Sequence, residues 1–237
     1  MNTTIDEQEI KHFAKDSNHW WDENGPFKPL HRLNPVRIEY IKSQICEHFQ
    51  RDFNDIKALK KLSILDIGCG GGLVCEPLAR MGASVTGIDA DQQAIDIAKK
   101  HSELSINYVC DDAQNLTETY DVVLALEVIE HVSDISTFIK TCAQRLKPGG
   151  ILIMSTLNRT PKSYLLGIIG AEYILNWVPK GTHSWKKFVK PSEITNHARP
   201  HNLKPRDVTG MIFNPLRNHF ELSKTDLDVN YLTTLSR

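Results

Sequence analysis

The sequence predicts an α/β fold with a mostly parallel central sheet and helices on both faces, and three observations carry the prediction. Between residues 63 and 156, apolar runs of strand length alternate with segments of helical period. The first run, Ser63-Ile64-Leu65-Asp66-Ile67, opens directly into Gly68-Cys69-Gly70-Gly71-Gly72. A second run closes on Asp89, about twenty residues beyond Gly68, the offset at which an acid meets ribose hydroxyls in nucleotide-binding sheets of this class.

Taken in order, residues 6–16 read as a short polar helix with Ile10 and Phe13 on one face. Trp20-Trp21-Asp22-Glu23-Asn24-Gly25-Pro26-Phe27 is turn-rich and aromatic, either a lid over a site or a pin holding the N-terminal segment down. Asn34-Pro35 is expected to start a second helix, since Pro suits the first helical position, with Ile38, Ile41 and Ile45 at helical spacing. That reading puts Arg37 in the first turn, unfavourable for the helix dipole, where it could instead meet a ligand carboxylate. A helix over 73–81 follows the glycines. Then come a strand over 83–89, a helix over 91–100, a strand over 106–110 and a strand over 120–126. A helix over 135–146 and a Lys147-Pro148-Gly149-Gly150 turn lead into a strand over 151–156. Residues 208–213 and 229–234 read as two further strands with a loop between them. The expected organisation is one domain over 1–237. Residues 1–50 form an N-terminal helical cap, 63–156 a ligand-binding core, and 160–190 an apolar and basic insertion.

Composition narrows the classes. A hydrophobic fraction of 41% supports a substantial core, and a net charge of −1 offers no basic field for nucleic acid. The five cysteines form no C-x-x-C pair, which argues against a disulfide framework or a zinc knuckle. No secretory signal is legible and no run reaches the ~18 apolar residues of a membrane span. The expected location is the cytoplasm, peripheral to the inner face of a membrane.

The glycine loop fails the dinucleotide fingerprint: position 73, where a third glycine belongs, is Leu73, and counting from Gly70 it is Cys75. Asp66, just ahead of the loop, would repel a pyrophosphate and suits a ligand that is cationic there. S-adenosyl-L-methionine, with a sulfonium, an ammonium and no phosphate, fits. Asp89 is then the ribose acceptor, and an acid of Asp111-Asp112-Ala113, preferably Asp112, the acceptor from the adenine amino group. After the fourth strand, Glu127, Glu130 and His131 stand at i, i+3 and i+4 and share one face if helical. They read as a solvated helix start, as a general-base cluster around His131, or as ligands for a divalent ion such as Mg²⁺.

Several stretches together are more specific. Trp20-Trp21-Asp22, Gly25-Pro26-Phe27-Lys28-Pro29-Leu30-His31, Asn34-Pro35-Val36-Arg37 and Leu65 to Gly72 come first. Glu127-Val128-Ile129-Glu130-His131-Val132, Ser155-Thr156-Leu157-Asn158-Arg159-Thr160 and Gly181-Thr182-His183 follow. In this order the chain resembles the ubiquinone-biosynthesis O-methyltransferases, within the class I S-adenosylmethionine-dependent methyltransferases. The resemblance implies a Rossmann-like, seven-stranded, mostly parallel sheet finished by a C-terminal antiparallel pair. It implies methylation of two ring hydroxyls of polyprenylated phenol or catechol intermediates at separate steps, including 3-demethylubiquinol to ubiquinol. Carried over by position, Arg37, Gly68, Asp89 and Leu126 contact the methyl donor, beside Asp66, Gly70 and Asp112. Divalent-metal dependence of eukaryotic relatives favours the metal reading of the acidic trio, and other enzymes of the pathway are expected partners. A nucleic-acid or other small-molecule methyltransferase is the alternative; nucleic-acid enzymes acting on base amino groups resemble N-P-P-Y after strand four, where this chain has Glu-Val-Ile-Glu. Finally, within residues 163–188 an apolar run over 164–178, broken by the single acid Glu172, has Lys162 before it and Lys180, Lys186 and Lys187 after it. It reads as either a core helix or a lid lying on an anionic membrane surface.

Overall fold

A computed structural model describes residues 17–166, 184–215 and 217–237. The helix expected over 6–16 and most of the apolar insertion, including Ile168, Ile169 and Trp177, lie outside the described residues.

Among the described residues eight strands form one sheet in the order β3-β2-β1-β4-β5-β8-β6-β7. Strands β1 (Ser63–Ile67), β2 (Ser84–Asp89), β3 (Asn107–Cys110), β4 (Tyr120–Leu126) and β5 (Leu146–Leu157) run parallel. β6 (Lys204–Asn214), β7 (His219–Ser223) and β8 (Asn230–Ser236) complete the sheet antiparallel. The mostly parallel sheet with antiparallel C-terminal strands is as expected; the strand count is eight rather than seven, because β7 occupies the anticipated loop. The Lys147–Gly150 turn is a bulge inside β5, where pairing jumps from Tyr120↔Leu146 to Val122↔Ile151.

Central strands are buried on both faces, which is why they read as continuous apolar runs. Side chains alternate between two cores. Ile64, Val122, Leu124 and Ile153 enter one cluster; Leu65, Val123, Ala125 and Met154 enter the other. Helix α1 (Lys28–His48) packs Leu33, Val36, Tyr40, Ile41 and Ile45 into the first. α2 (Cys75–Arg80) and α3 (Gln92–His101) add Leu78, Ile95 and Ala98 to it. α4 (Ile135–Gln144) and α5 (Pro191–Ala198) cover the second with Phe138, Ile139, Cys142 and Ile194.

Helix α1 begins seven residues before the expected start. Pro29 takes the first-turn position assigned to Pro35, which lies inside the helix. Arg37 is therefore a mid-helix residue, 5% exposed, and the dipole argument for it does not apply.

Strand order reverses between β1 and β4: the chain runs outward through β2 and β3 on one side and through β5 on the other. In open α/β sheets ligands gather at the carboxyl ends of the strands at such a switch point. The glycine loop follows β1 and the acidic segment follows β4, so both border this crevice.

Candidate functional site

The loop after β1 is built around glycine. Gly68 has φ +73°, and a Cβ there would come within 2.5 Å of Val128 Cγ2. Gly70 has φ +51°, and its N–H donates to Asp89 Oδ2 at 2.8 Å. Asp89 Oδ1 accepts from the Asp91 amide at 2.9 Å, so backbone groups fix the carboxylate at the end of β2. Each oxygen keeps acceptor capacity for a further partner. Burial pushes the Asp89 carboxyl up, against the backbone N–H groups that favour its charge.

Asp66 lies deeper, 2% exposed, and accepts from the Cys75 thiol at 3.3 Å. Burial pushes its carboxyl up to about 7; the Cys75 hydrogen bond and the Arg37 charge pull the other way, and the Asp89 charge adds to the rise. A buried acid poised there welcomes a cation, because a positive ligand restores its ionised form.

Asp112 caps the 3₁₀ turn Ala113–Asn115, accepting from the Gln114 amide at 2.9 Å, while Asp111 accepts from the Asp112 amide at 2.7 Å. Both acids of the pair are thus engaged in local turn structure at the end of β3. Leu126 ends β4 with its side chain in the core.

After β4 the expected helical face does not form. Glu127 is left-handed, with φ +55°, and Ile129–His131 is a single 3₁₀ turn. Only at Ile135 does a helix begin, capped by Asp134. Glu127, Glu130 and His131 therefore do not line up at helical spacing. Among the described residues no three His, Cys, Asp or Glu side chains gather as a metal-ligand set. The place beside the Glu127 carboxylate is taken by Arg37, whose Nη2 lies 2.8 Å from Glu127 Oε1. A guanidinium there already supplies a positive charge beside Glu127.

What the turn assembles is a polar cluster reaching across the sheet. Ser155, on β5, donates to Glu127 Oε1 at 2.7 Å; Asn230, at the start of β8, approaches the same oxygen at 3.4 Å. Thr156 donates to Glu130 Oε2 at 2.9 Å. The two carboxylates are driven apart. Burial pushes Glu127 up, but the Arg37 charge and the hydrogen bonds from Ser155, Arg37 and Asn230 outweigh it and hold the carboxyl below its ordinary range. Glu130, 4% exposed, is pushed well above its ordinary range by burial and by the charge of Glu127. Glu130 also lines an open cavity of about 390 Å³ whose wall mixes the apolar Ile129, Val132 and Phe188 with the charged Asp134, Arg159 and Glu193. His131, on the same turn, is partly exposed.

The chain from 65 to 154 matches the family model described as a methyltransferase domain. Relatives extend the match to nearly the whole length. The ubiquinone biosynthesis O-methyltransferase of Bartonella tribocorum is 48% identical, over 99% of this chain and 97% of the relative. That of Roseobacter denitrificans is 49% identical over 98% and 96%, and that of Bradyrhizobium diazoefficiens 46% over 97% and 92%. The chain belongs to the ubiquinone biosynthesis O-methyltransferases. It is an S-adenosylmethionine-dependent enzyme. Solved structures agree on the fold. The magnesium protoporphyrin IX methyltransferase of Synechocystis PCC 6803 with bound S-adenosylhomocysteine superposes with a TM-score of 0.62 at 20% identity, over 96% of this chain and 94% of that one. A possible histamine N-methyltransferase from Thermotoga maritima gives 0.65 at 16% identity, over 97% and 98%.

The sequence pointed to the acids at 66, 89 and 112 and to both glutamates. It gave no signal for Asn230, more than a hundred residues from Glu127, and only a family stretch hinted at Ser155 and Thr156. The cluster that gathers round Glu127 draws on α1, the turn after β4, β5 and β8.

Proposed function

We propose that this enzyme methylates ring hydroxyls of polyprenylated phenols, such as 3-demethylubiquinol, with Glu130 receiving the hydroxyl proton. Asp89 and Asp112 serve the ribose and adenine of the donor, Asp66 and Arg37 its charged amino-acid end, and Gly68, Gly70 and Leu126 its backbone-lined bed. The phenol oxygen attacks the donor methyl carbon, the carbon–sulfur bond breaks, and neutral S-adenosylhomocysteine leaves. A phenol has a pKa near ~10, so at neutral pH it needs a proton acceptor. The single observation that carries this reading is the divergence of two neighbouring carboxyls. Glu127 is held ionised as an anchor, while Glu130, at the edge of a cavity, is lifted well above its ordinary range and so favours holding a proton. His131, one residue on, is the competing acceptor.

Methyl transfer from labelled donor to a short-tailed demethylubiquinol analogue tests the assignment. Glu130→Gln lowers kcat about 10²–10⁴-fold with donor affinity kept, whereas His131→Asn leaves most of it. A collapse only in the histidine variant moves the role to His131. Turnover that vanishes in chelator and returns with Mg²⁺ overturns the metal-free reading.

A polyprenylated substrate lives in the bilayer, and peripheral attachment to an anionic membrane is the second part of this proposal. Tyr164, Leu165 and Leu166 are three consecutive exposed apolar side chains where the 164–178 run begins, and Lys186 follows beyond it. Lys162 is less available for headgroups, since it pairs with Asp226 at 2.6 Å and Asp228 at 3.5 Å. Among the described residues no helix is long and apolar enough to cross a membrane.

A further inference from the structure

The outer face of the glycine loop carries an aromatic cover. The Trp20 ring lies flat across Gly70 and Gly71, so that a Cβ on Gly70 would meet Cζ2 and Cη2 at 2.4 Å and one on Gly71 would meet Cγ at 2.5 Å. Three contacts fix it there. Phe27 stacks on it at 4.0 Å, His31 Nε2 lies 2.8 Å from its carbonyl oxygen, and the next residue, Trp21, donates from Nε1 to Gly71 O at 2.9 Å. Trp21 is itself stacked on His101 at 3.5 Å. The ring is held as firmly as a site residue, yet its own Nε1–H is buried and meets no acceptor. Buried N–H groups without a partner are rare, because leaving one unmet is costly.

Arg37 shows the same feature. Its Nε is buried and unpaired, while Nη2 is taken by the Glu127 carboxylate at 2.8 Å. Both orphan donors come from the N-terminal segment that roofs the crevice, one over Gly70 and one reaching the end of β4. An indole N–H only donates, so what completes it is an acceptor. The methyl donor has one anionic acceptor, its carboxylate; the acid at 66 suits its cationic groups, and those at 89 and 112 its nucleoside.

We infer that Trp20 is a methyl-donor residue, its indole N–H holding the amino-acid carboxylate together with the Arg37 guanidinium. The inference rests on the donor reading of the site. It gives the paired tryptophans a task beyond pinning the N-terminal segment, and it explains why Gly70 and Gly71 are bare on the side that faces the ring.

Calorimetry on the full chain tests it with two ligands, S-adenosylhomocysteine and 5′-methylthioadenosine, which keeps the nucleoside and sulfur and lacks the amino-acid end. Trp20→Phe preserves a ring and removes the N–H. It should weaken S-adenosylhomocysteine about tenfold or more, the scale of a hydrogen bond to a charged group, and leave methylthioadenosine within about twofold. Equal loss for both ligands, or loss for neither, overturns the carboxylate assignment. A parent protein that binds neither ligand sinks the donor reading itself, a separate failure. If the variant does not fold, the parent answers alone: of its four tryptophan indole ¹⁵N–¹H signals, one must move strongly with S-adenosylhomocysteine and stay put with methylthioadenosine. No such signal refutes the inference.

Discussion

Asp66 makes the ligand-free enzyme weaker as pH rises, and the size of the effect follows from its burial. Its carboxyl is pushed from an ordinary 3.8 up to about 7 in the fold. A raised acid favours the protonated native state, so its contribution is complete below about pH 4 and is lost as pH climbs through about 7. Three pKa units correspond to roughly 4 kcal/mol, of which ~2–3 kcal/mol is lost between pH 5 and pH 8. Asp66→Asn removes the titration while keeping the acceptor for Cys75. Urea unfolding of the two proteins across this range isolates the term: parent stability should fall relative to the variant by that amount. A cationic donor reverses the loss by ionising Asp66. Binding near pH 7 should then release about half a proton in the parent and less in the variant, read by calorimetry in buffers of different ionisation enthalpy. A flat stability difference together with no proton release refutes the reasoning.

Two further outcomes are expected. Asp89→Ala should weaken donor binding by ~1.5–3 kcal/mol, since a charged acceptor is lost and the Gly70 amide is left unmet; unchanged affinity in a folded variant removes Asp89 from the site. The enzyme should sediment with anionic vesicles at low salt and be released by salt or by replacing Ile168 and Ile169 with Ser; no sedimentation of the parent ends the membrane proposal.

The core of the fold was legible because it is local and doubly buried. β4 begins and ends where its apolar run does, and α3 starts at the Asp91 cap. What escaped is tertiary in origin. A proline inside a helix costs ~3 kcal/mol, so Pro35 read as a start. Burial of Leu33 on one side of it and of Val36, Tyr40, Ile41 and Ile45 on the other carries α1 through. β7 alternates in Phe220 and Leu222 but is a short edge strand with one partner, too weak a pattern to distinguish from a loop. The glycine loop and its acids could be placed because the turn and its ligands are neighbours in sequence. The second half of the site misled because Glu127 takes a left-handed backbone without being glycine. No sequence period announces that, and it unmakes the expected helical face of Glu127, Glu130 and His131.

That strained glutamate also offers a discriminating experiment. The charge of Glu127 is one of the two causes lifting the Glu130 carboxyl, and Glu127 is the partner of a buried Arg37. Glu127→Gln keeps the shape and one acceptor oxygen while erasing the charge. Stability should drop by ~1–3 kcal/mol, because Arg37 loses its counter-ion while the amide oxygen still accepts from Ser155. The effect on catalysis is of a different kind. If Glu130 is the proton acceptor, kcat rises with pH as it ionises, and removing the neighbouring negative charge lets it ionise earlier. The acidic limb of the kcat profile should therefore move to lower pH in Glu127→Gln, with a lower plateau because a weaker base takes the proton. Loss of the base itself, in Glu130→Gln, instead removes the limb. A limb that stays where it was in Glu127→Gln means that the titrating group lies beyond the reach of Glu127, and Glu130 is then not the base.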